Sequence, residues 1–137
     1  MGVRVLKMIL GLPIIRAGEK YYLSPHFGRA PYFALVEVDG NEYRVLEVIE
    51  NPHVKHEHGR GAGVIDLVTS RGVNALIVQG IGYSAFNLLR ERGVRVYSAP
   101  ETLEGLITLE EAVKMFVEGK LEEVVGPRES HGRHGGW

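Results

Sequence analysis

The chain has 137 residues, a formal net charge of -1, no cysteine, and 45% hydrophobic residues. This length suits one domain with its own core, and the near-neutral charge argues against a nucleic-acid surface. The lack of cysteine excludes disulfides, thiol catalysis and thiolate-ligated zinc or iron–sulfur sites. No apolar run reaches the ~18 residues that span a membrane, and no convincing signal-peptide cleavage site follows the start, so we expect a cytoplasmic protein.

The first part of the chain has the patterns of strands. The apolar run VRVLKMIL at residues 3 to 10 predicts a buried strand, and we expect a loop over residues 11 to 20. Residues 32 to 40 and 43 to 51 alternate between apolar and polar side chains, and the Asp-Gly-Asn sequence between them is typical of a hairpin turn. These three strands should form an antiparallel meander.

In the second part, helical and strand patterns alternate. Helices are predicted over residues 63 to 72, 84 to 93 and 108 to 119, and strands over residues 74 to 80 and 94 to 99. Ser84 is the expected N-cap of the second helix, and Thr108 with Glu111 predicts a capping box at the third.

The predicted order is β-β-β-α-β-α-β-α, which indicates an α/β protein with three α/β/α layers around a mixed five-stranded sheet. We expect residues 1 to 125 to form the domain. Residues 126 to 137 are rich in glycine and histidine and have too little apolar content to pack, so we expect them to be a flexible tail.

Three loops are predicted at the carboxyl ends of the strands, where sheets of this kind bind ligands. They are residues 24 to 33, 51 to 63 and 79 to 84. The last two contain glycines and lead into helices, whose first N–H groups lack intrahelical partners and attract anions. The same glycines would also suit tight turns or close helix–sheet packing.

Histidines are concentrated in the second of these loops. His53, His56 and His58 follow an H-x-x-H-x-H pattern, and imidazoles at this spacing can converge on one metal ion. The alternative is a polar surface loop whose histidines have no joint role. In the tail, His131 and His134 are expected to bind metal only adventitiously.

The stretches SPHFGRAPYFALVEVDG, IENP and ALIVQGIGYSAFNLLRERGVRVY resemble the dinitrogenase iron–molybdenum cofactor biosynthesis family, in which a NifX/NifY-like domain also forms the C-terminal part of NifB. The similarity covers residues 3 to 121. It implies a ribonuclease-H-like motif with a mixed five-stranded sheet. It also implies a protein that binds and carries the iron–molybdenum cofactor, its precursors or, as in the orange-protein branch, a molybdenum–copper sulfide cluster.

The resemblance assigns the family's His-Phe-Gly stretch to residues 26 to 28 and its second-loop glycines to Gly80 and Gly82. A sulfide cluster is anionic and carries its own sulfur, so backbone N–H groups, Arg29 and a few imidazoles can hold it without cysteine. The candidate cluster-binding residues are His26, Phe27, Gly28, Arg29, Gly61, Gly63, Gly80 and Gly82, and the candidate metal ligands are His26, His53, His56 and His58. Residues 101 to 112 are longer than the family's Gly-Gly-Thr turn, which argues against an anion contact there.

The leading hypothesis is therefore a non-catalytic carrier of a metal–sulfur cluster that exchanges it with donor and acceptor proteins. A nuclease of this fold would need acidic residues on the first strand to hold two metal ions, and VRVLKMIL has none. The remaining alternative is a regulatory or protein-interaction module that responds to a divalent metal through the histidine loop. In either case we expect no nucleic-acid or membrane partner, and a monomer or weak homodimer.

Overall fold

A computed structural model describes residues 7–52, 60–102 and 105–125 of the chain. Within these ranges one sheet of seven strands packs against three helices. The strands are β1 (Met8–Ala17), β2 (Lys20–Leu23), β3 (Tyr32–Asp39), β4 (Glu42–Glu50), β5 (Ala75–Val78), β6 (Arg95–Ser98) and β7 (Glu122–Glu123). The helices are α1 (Arg60–Thr69), α2 (Tyr83–Glu91) and α3 (Leu109–Val117). None of the described helices is long and apolar enough to cross a membrane.

The sheet is mixed, with the strand order β4-β3-β1-β5-β6-β7. Strands β1, β3 and β4 form the predicted antiparallel meander, and β5 and β6 are parallel to each other and to β1. On one side of β1, β5 pairs with the first half of the strand and β2 pairs with the second half. Because β5 runs parallel to β1 and β2 runs antiparallel to it, the carboxyl ends of β5 and β2 face each other.

Two apolar cores lie on opposite faces of the sheet, because successive strand side chains point to opposite sides. Phe33 and Leu35 of β3 belong to the core that includes buried residues of α1 and α2. Ala34 and Val36 belong to the core that includes buried residues of α3. Helices therefore cover both faces, and the predicted mixed α/β class is confirmed.

The predicted number of strands was wrong: the sheet has seven strands among the described residues, not five. Residues 11 to 20, predicted as a loop, instead continue β1 to Ala17 and turn at Gly18, whose φ is 66°, into β2. Pro13 is compatible with this strand because it lies where the neighbour of β1 changes from β5 to β2. Its carbonyl accepts a hydrogen bond from the backbone N–H of Ser24 (2.8 Å).

Helix termini give one confirmation and one correction. At α3 the Thr108 hydroxyl accepts from the Glu111 N–H (3.1 Å), and the Glu111 carboxylate accepts from the Thr108 N–H (2.9 Å), which confirms the predicted capping box. The predicted N-cap of α2, Ser84, is wrong. Gly82 is the N-cap, and no side chain caps this helix. The predicted tail from residue 126 onward lies outside the described residues.

Candidate functional site

The edge of the sheet where β4 and β5 end is formed by residues 24–30, 51 and 79–82 together with the N-termini of α1 and α2, and we call it the loop edge. The loop that follows β2 and the turn that follows β5 contact each other there. A Cβ atom built on Gly80 would lie 3.5 Å from the carbonyl oxygen of Pro25, which is ordinary van der Waals contact. The structure thus brings the His26 loop and the Gly80 turn together, as expected for loops at the carboxyl ends of strands.

Ser24 fixes the backbone that carries His26. Ser24 is buried, with 3% of its surface exposed, and its hydroxyl accepts a hydrogen bond from the His26 N–H (3.1 Å) while donating to the His26 carbonyl (3.0 Å). Such a local serine turn fixes the backbone around His26. The His26 residue itself is exposed. Its main chain is therefore ordered while its imidazole remains accessible to a ligand.

Phe27 anchors the same loop in the core. Its side chain is fully buried, and its ring meets that of Phe33 edge to face, with centroids 5.7 Å apart. Phe27 was a candidate cluster-binding residue, but this position keeps its side chain away from the surface. Its contribution in this structure is to position His26 on one side and Arg29 on the other, both of which are exposed.

Asn51, at the end of β4, ties the start of the histidine loop to the His26 loop. Its buried side-chain amide donates to the carbonyls of Ala30 (2.8 Å) and Gly28 (3.3 Å), and its backbone N–H donates to Pro31 (2.9 Å). Sequence reasoning did not select Asn51. The only available signal was an Asn-Pro pair at the end of a predicted strand.

The N-termini of α1 and α2 supply the remaining features of the loop edge. Gly82 is buried and extended (φ -75°, ψ 163°), and the first N–H groups of α2 have no intrahelical acceptors. Gly61 and Gly63 lie in the first turn of α1, not in the loop before it. Since α1 leads back to the start of β5, its N-terminus lies at the same edge as the end of β4.

Two further residues at this edge were not selected from the sequence. Gln79 donates from its side-chain amide to the carbonyl of Pro100 (3.1 Å), which links the turn after β5 to the segment after β6. Tyr83, the first residue of α2, is 66% exposed beside the turn. An exposed aromatic ring here provides apolar surface next to the uncapped helix terminus.

Only one of the four predicted metal ligands lies among the residues that the structure describes. His53, His56 and His58 lie outside the described residues, so His26 is the one candidate histidine ligand inside them. Over residues 7–52, 60–102 and 105–125, no three His, Asp or Glu side chains are grouped to hold a metal ion. In the same ranges Arg29 forms no ion pair, which leaves its positive charge available to an anion.

Comparison with known proteins gives the family. The family model described as "Dinitrogenase iron-molybdenum cofactor" matches residues 12–119. The chain belongs to this family. The match includes every residue of the loop edge, so the site described above lies within the part of the chain that defines the family.

One relative and two solved structures are similar to this chain over most of its length. The uncharacterized protein MJ0580 of Methanocaldococcus jannaschii is 39% identical over 121 residues, which cover 88% of this chain and 95% of that protein. A NifB-like protein from Thermotoga, solved by NMR, is 32% identical, with a TM-score of 0.70 over 90% of this chain and 98% of that one. The apo orange protein of Desulfovibrio gigas shares the fold, with a TM-score of 0.74 at 24% identity, over 88% of this chain and 96% of that one.

Membership in the dinitrogenase iron–molybdenum cofactor family supports a small protein that binds a metal cluster or cofactor. The geometry agrees with such a role in one respect. The loop edge combines ordered backbone, two helix N-termini and two exposed basic side chains, His26 and Arg29. These are groups that attract an anion.

Proposed function

We propose that this chain is a non-catalytic carrier of an anionic metal–sulfur cluster, held at the loop edge and exchanged with donor and acceptor proteins. The cluster would be an iron–molybdenum cofactor-like species or a sulfide of molybdenum, iron or copper. The observation that carries the proposal is the contact between the His26 loop and the Gly80 turn, directly before the uncapped N-terminus of α2.

The donor set matches the chemistry of such a cluster. A sulfide cluster brings its own anionic sulfur, so the protein needs hydrogen-bond donors, positive charge and few direct ligands. Backbone N–H groups at helix N-termini provide the donors and a partial positive charge. Arg29 adds a full charge, and His26 adds an imidazole that can coordinate a metal when neutral. None of these requires cysteine, which the chain lacks.

The strand order supports the finer description of the fold that goes with this role. If the short strands β2 and β7 are left aside, β4-β3-β1-β5-β6 corresponds to the order 3-2-1-4-5, with the first three strands antiparallel. We infer from this order a ribonuclease-H-like motif in three layers. Such a scaffold holds the loop edge on rigid strand ends.

The test is reconstitution with a cluster of defined composition. We expect His26→Ala to weaken binding of a thiomolybdate–copper cluster by about tenfold or more, equivalent to ~1.4 kcal/mol. Deletion of residues 127–137 should change it little, because a glycine-rich tail would lose ~1 kcal/mol or more of entropy for each residue that binding orders. Visible absorption together with metal and sulfide analysis measures the bound cluster.

The controls separate the site from simple metal binding. His56→Ala should give an intermediate loss, since it removes one of several imidazoles in a glycine-rich loop. Ni²⁺ and Zn²⁺ titrations should be run on the same variants, because the tail histidines can bind these ions by themselves. Tight Ni²⁺ or Zn²⁺ binding with no uptake of the cluster would favour the divalent-metal regulatory module. Loss of the cluster on tail deletion, with full binding by His26→Ala, would move the site to the tail.

A further inference from the structure

Strand β4 forms an edge of the sheet and has exposed apolar side chains. Residues 42 to 47 are all exposed, and Tyr43, Val45 and Leu46 have 37%, 44% and 42% of their surface accessible. In the described part of the chain β4 pairs only with β3, so the backbone groups of its outer edge have no strand partner. A nine-residue edge of this kind is a template for a further strand.

A bulge decides which side chains of β4 share a face. Val36 pairs with Val45 and Leu35 pairs with Glu47, so Leu46 is an extra residue with no partner on β3. Leu35 and Glu37 are two positions apart on β3, so their side chains share one face of the sheet. Their partners on β4, Glu47 and Arg44, therefore lie on that same face. Tyr43, Val45 and Val48, which pair with Val38, Val36 and Ala34, lie on the opposite face.

We propose that a second copy of this chain pairs with β4 in antiparallel orientation, with the twofold axis at Val45. When Leu46 is left out of the pairing as the bulged residue, this register places Arg44 opposite Glu47 of the second copy. By the twofold symmetry, Glu47 also lies opposite Arg44 of the second copy, so the dimer contains this pair twice. On the other face it places Tyr43 opposite Val48 of the second copy. The pairing would join the two sheets into one and cover the exposed apolar side chains.

The charges on β4 select this register over its neighbours. A shift by one residue would place side chains of opposite faces against each other. A shift by two residues keeps the faces matched. In one direction, however, it places Arg44 opposite Arg44 of the second copy, and in the other direction it places Glu47 opposite Glu47 of the second copy. Like charges directly opposite each other on paired strands are unfavourable. Of these registers, only the proposed one matches the faces of the two strands and places Arg44 opposite Glu47 rather than opposite a like charge.

Existing ion pairs do not prevent the exchange of partners. Arg44 now contacts Glu37 (3.2 Å) and Glu47 contacts Arg71 (2.8 Å), with the Arg44 side chain 73% exposed and the Glu47 side chain 45% exposed. Ion pairs at such exposed positions contribute little to stability. Both side chains can therefore turn to a partner across a new strand pair at small cost.

The decisive experiment is a charge exchange between two variants, followed by sedimentation equilibrium at low salt. We expect the unmodified protein to dimerise reversibly, and Arg44→Glu and Glu47→Arg each to weaken its dimer by about tenfold or more. Each variant alone would place two like-charged pairs across the axis. An equimolar mixture should recover dimerisation, because the mixed dimer restores both opposite-charge pairs.

The matched controls are Glu37→Gln and Arg71→Gln, which remove the present partners of Arg44 and Glu47 but leave the proposed pairs intact. These variants should dimerise as the unmodified protein does. Recovery in the mixture also shows that both single variants are folded. The proposal is overturned if the unmodified chain stays monomeric up to about 1 mM. It is equally overturned if single charge reversals leave the dimer unchanged, or if the mixture fails to recover it.

Discussion

Asn51 offers the sharpest test of how the loop edge is held, because a buried side chain there bridges two segments. Its amide donates to the carbonyls of Gly28 and Ala30, while His26 and Arg29 on the same loop remain exposed. We consider two substitutions. Asn51→Ala removes both donors, and Asn51→Asp replaces them by a carboxylate of nearly the same shape that only accepts.

The expected magnitudes follow from these two hydrogen bonds. Each contributes ~0.5–1.5 kcal/mol net, so Asn51→Ala should lower the free energy of unfolding by about 1–3 kcal/mol. Asn51→Asp should cost more at neutral pH, because a buried carboxylate would face two carbonyl oxygens. Burial and this repulsion raise the pKa of the introduced carboxyl in the folded state, and each unit of increase corresponds to ~1.4 kcal/mol.

The sign of the pH dependence separates the two variants. The stabilisation that comes from protonating the introduced carboxyl is fully present below the ordinary aspartate pKa of ~3.9 and is lost as the pH rises through the raised pKa of the folded state. The stability deficit of Asn51→Asp relative to the unmodified protein should therefore shrink between pH 7 and about pH 4. The deficit of Asn51→Ala should stay constant over the same range.

Urea unfolding at several pH values, followed by circular dichroism, measures both deficits. Cluster binding by Asn51→Ala should also weaken, although Asn51 is not a proposed ligand, because the His26 loop loses its support. If Asn51→Asp were as stable as the unmodified protein at pH 7, or if its deficit did not change with pH, the amide would not be holding the two carbonyls as described.

Two further predictions concern the scaffold. Gly11→Ala should destabilise the protein by about 1–3 kcal/mol in urea unfolding, because its new Cβ would lie 2.8 Å from Cδ2 of the fully buried Leu76. Gly80→Ala is the control with an ordinary 3.5 Å contact, and equal stability of the two variants would contradict the packing argument. Thr108→Ala should cost ~1 kcal/mol through loss of the capping box at α3, whereas Thr108→Ser should retain most of it. No difference between these two would show that the cap does not stabilise the helix.

The features that the sequence predicted well depend on nearby residues. The hairpin between β3 and β4 and the capping box of α3 are each specified within a few positions, so local chemistry suffices to predict them. The loop edge was also predictable in outline, because parallel strands end at a common edge. The His26 loop lies beside Gly80 for a different reason: it follows β2, which runs antiparallel to β5 and ends facing the end of that strand. The binding role of these residues is still a prediction.

The features that were missed depend on the topology of the whole sheet. The second half of β1 was predicted as a loop because Pro13 and Gly18 usually interrupt strands, and only the change of neighbour along β1 makes Pro13 compatible with a strand. Strand β2 was not predicted from the sequence. Asn51 was missed because its acceptors lie 21 and 23 positions earlier in the chain. Nothing in the sequence near Asn51 indicates which carbonyls its amide will meet.

A carrier of the proposed kind must release what it binds, and the division of the loop edge into buried support and exposed groups fits that requirement. Ser24, Phe27 and Asn51 are buried and hold the backbone, whereas His26 and Arg29 are exposed. An ordered backbone reduces the entropy lost on binding, so a few exposed groups are enough to hold an anionic cluster. In the proposed function, the same exposure would leave part of the cluster uncovered, so that an acceptor protein could begin to bind it before the carrier releases it. Deeper burial behind more ligands would strengthen binding but slow this transfer, since differences in affinity are expressed mostly in dissociation rates.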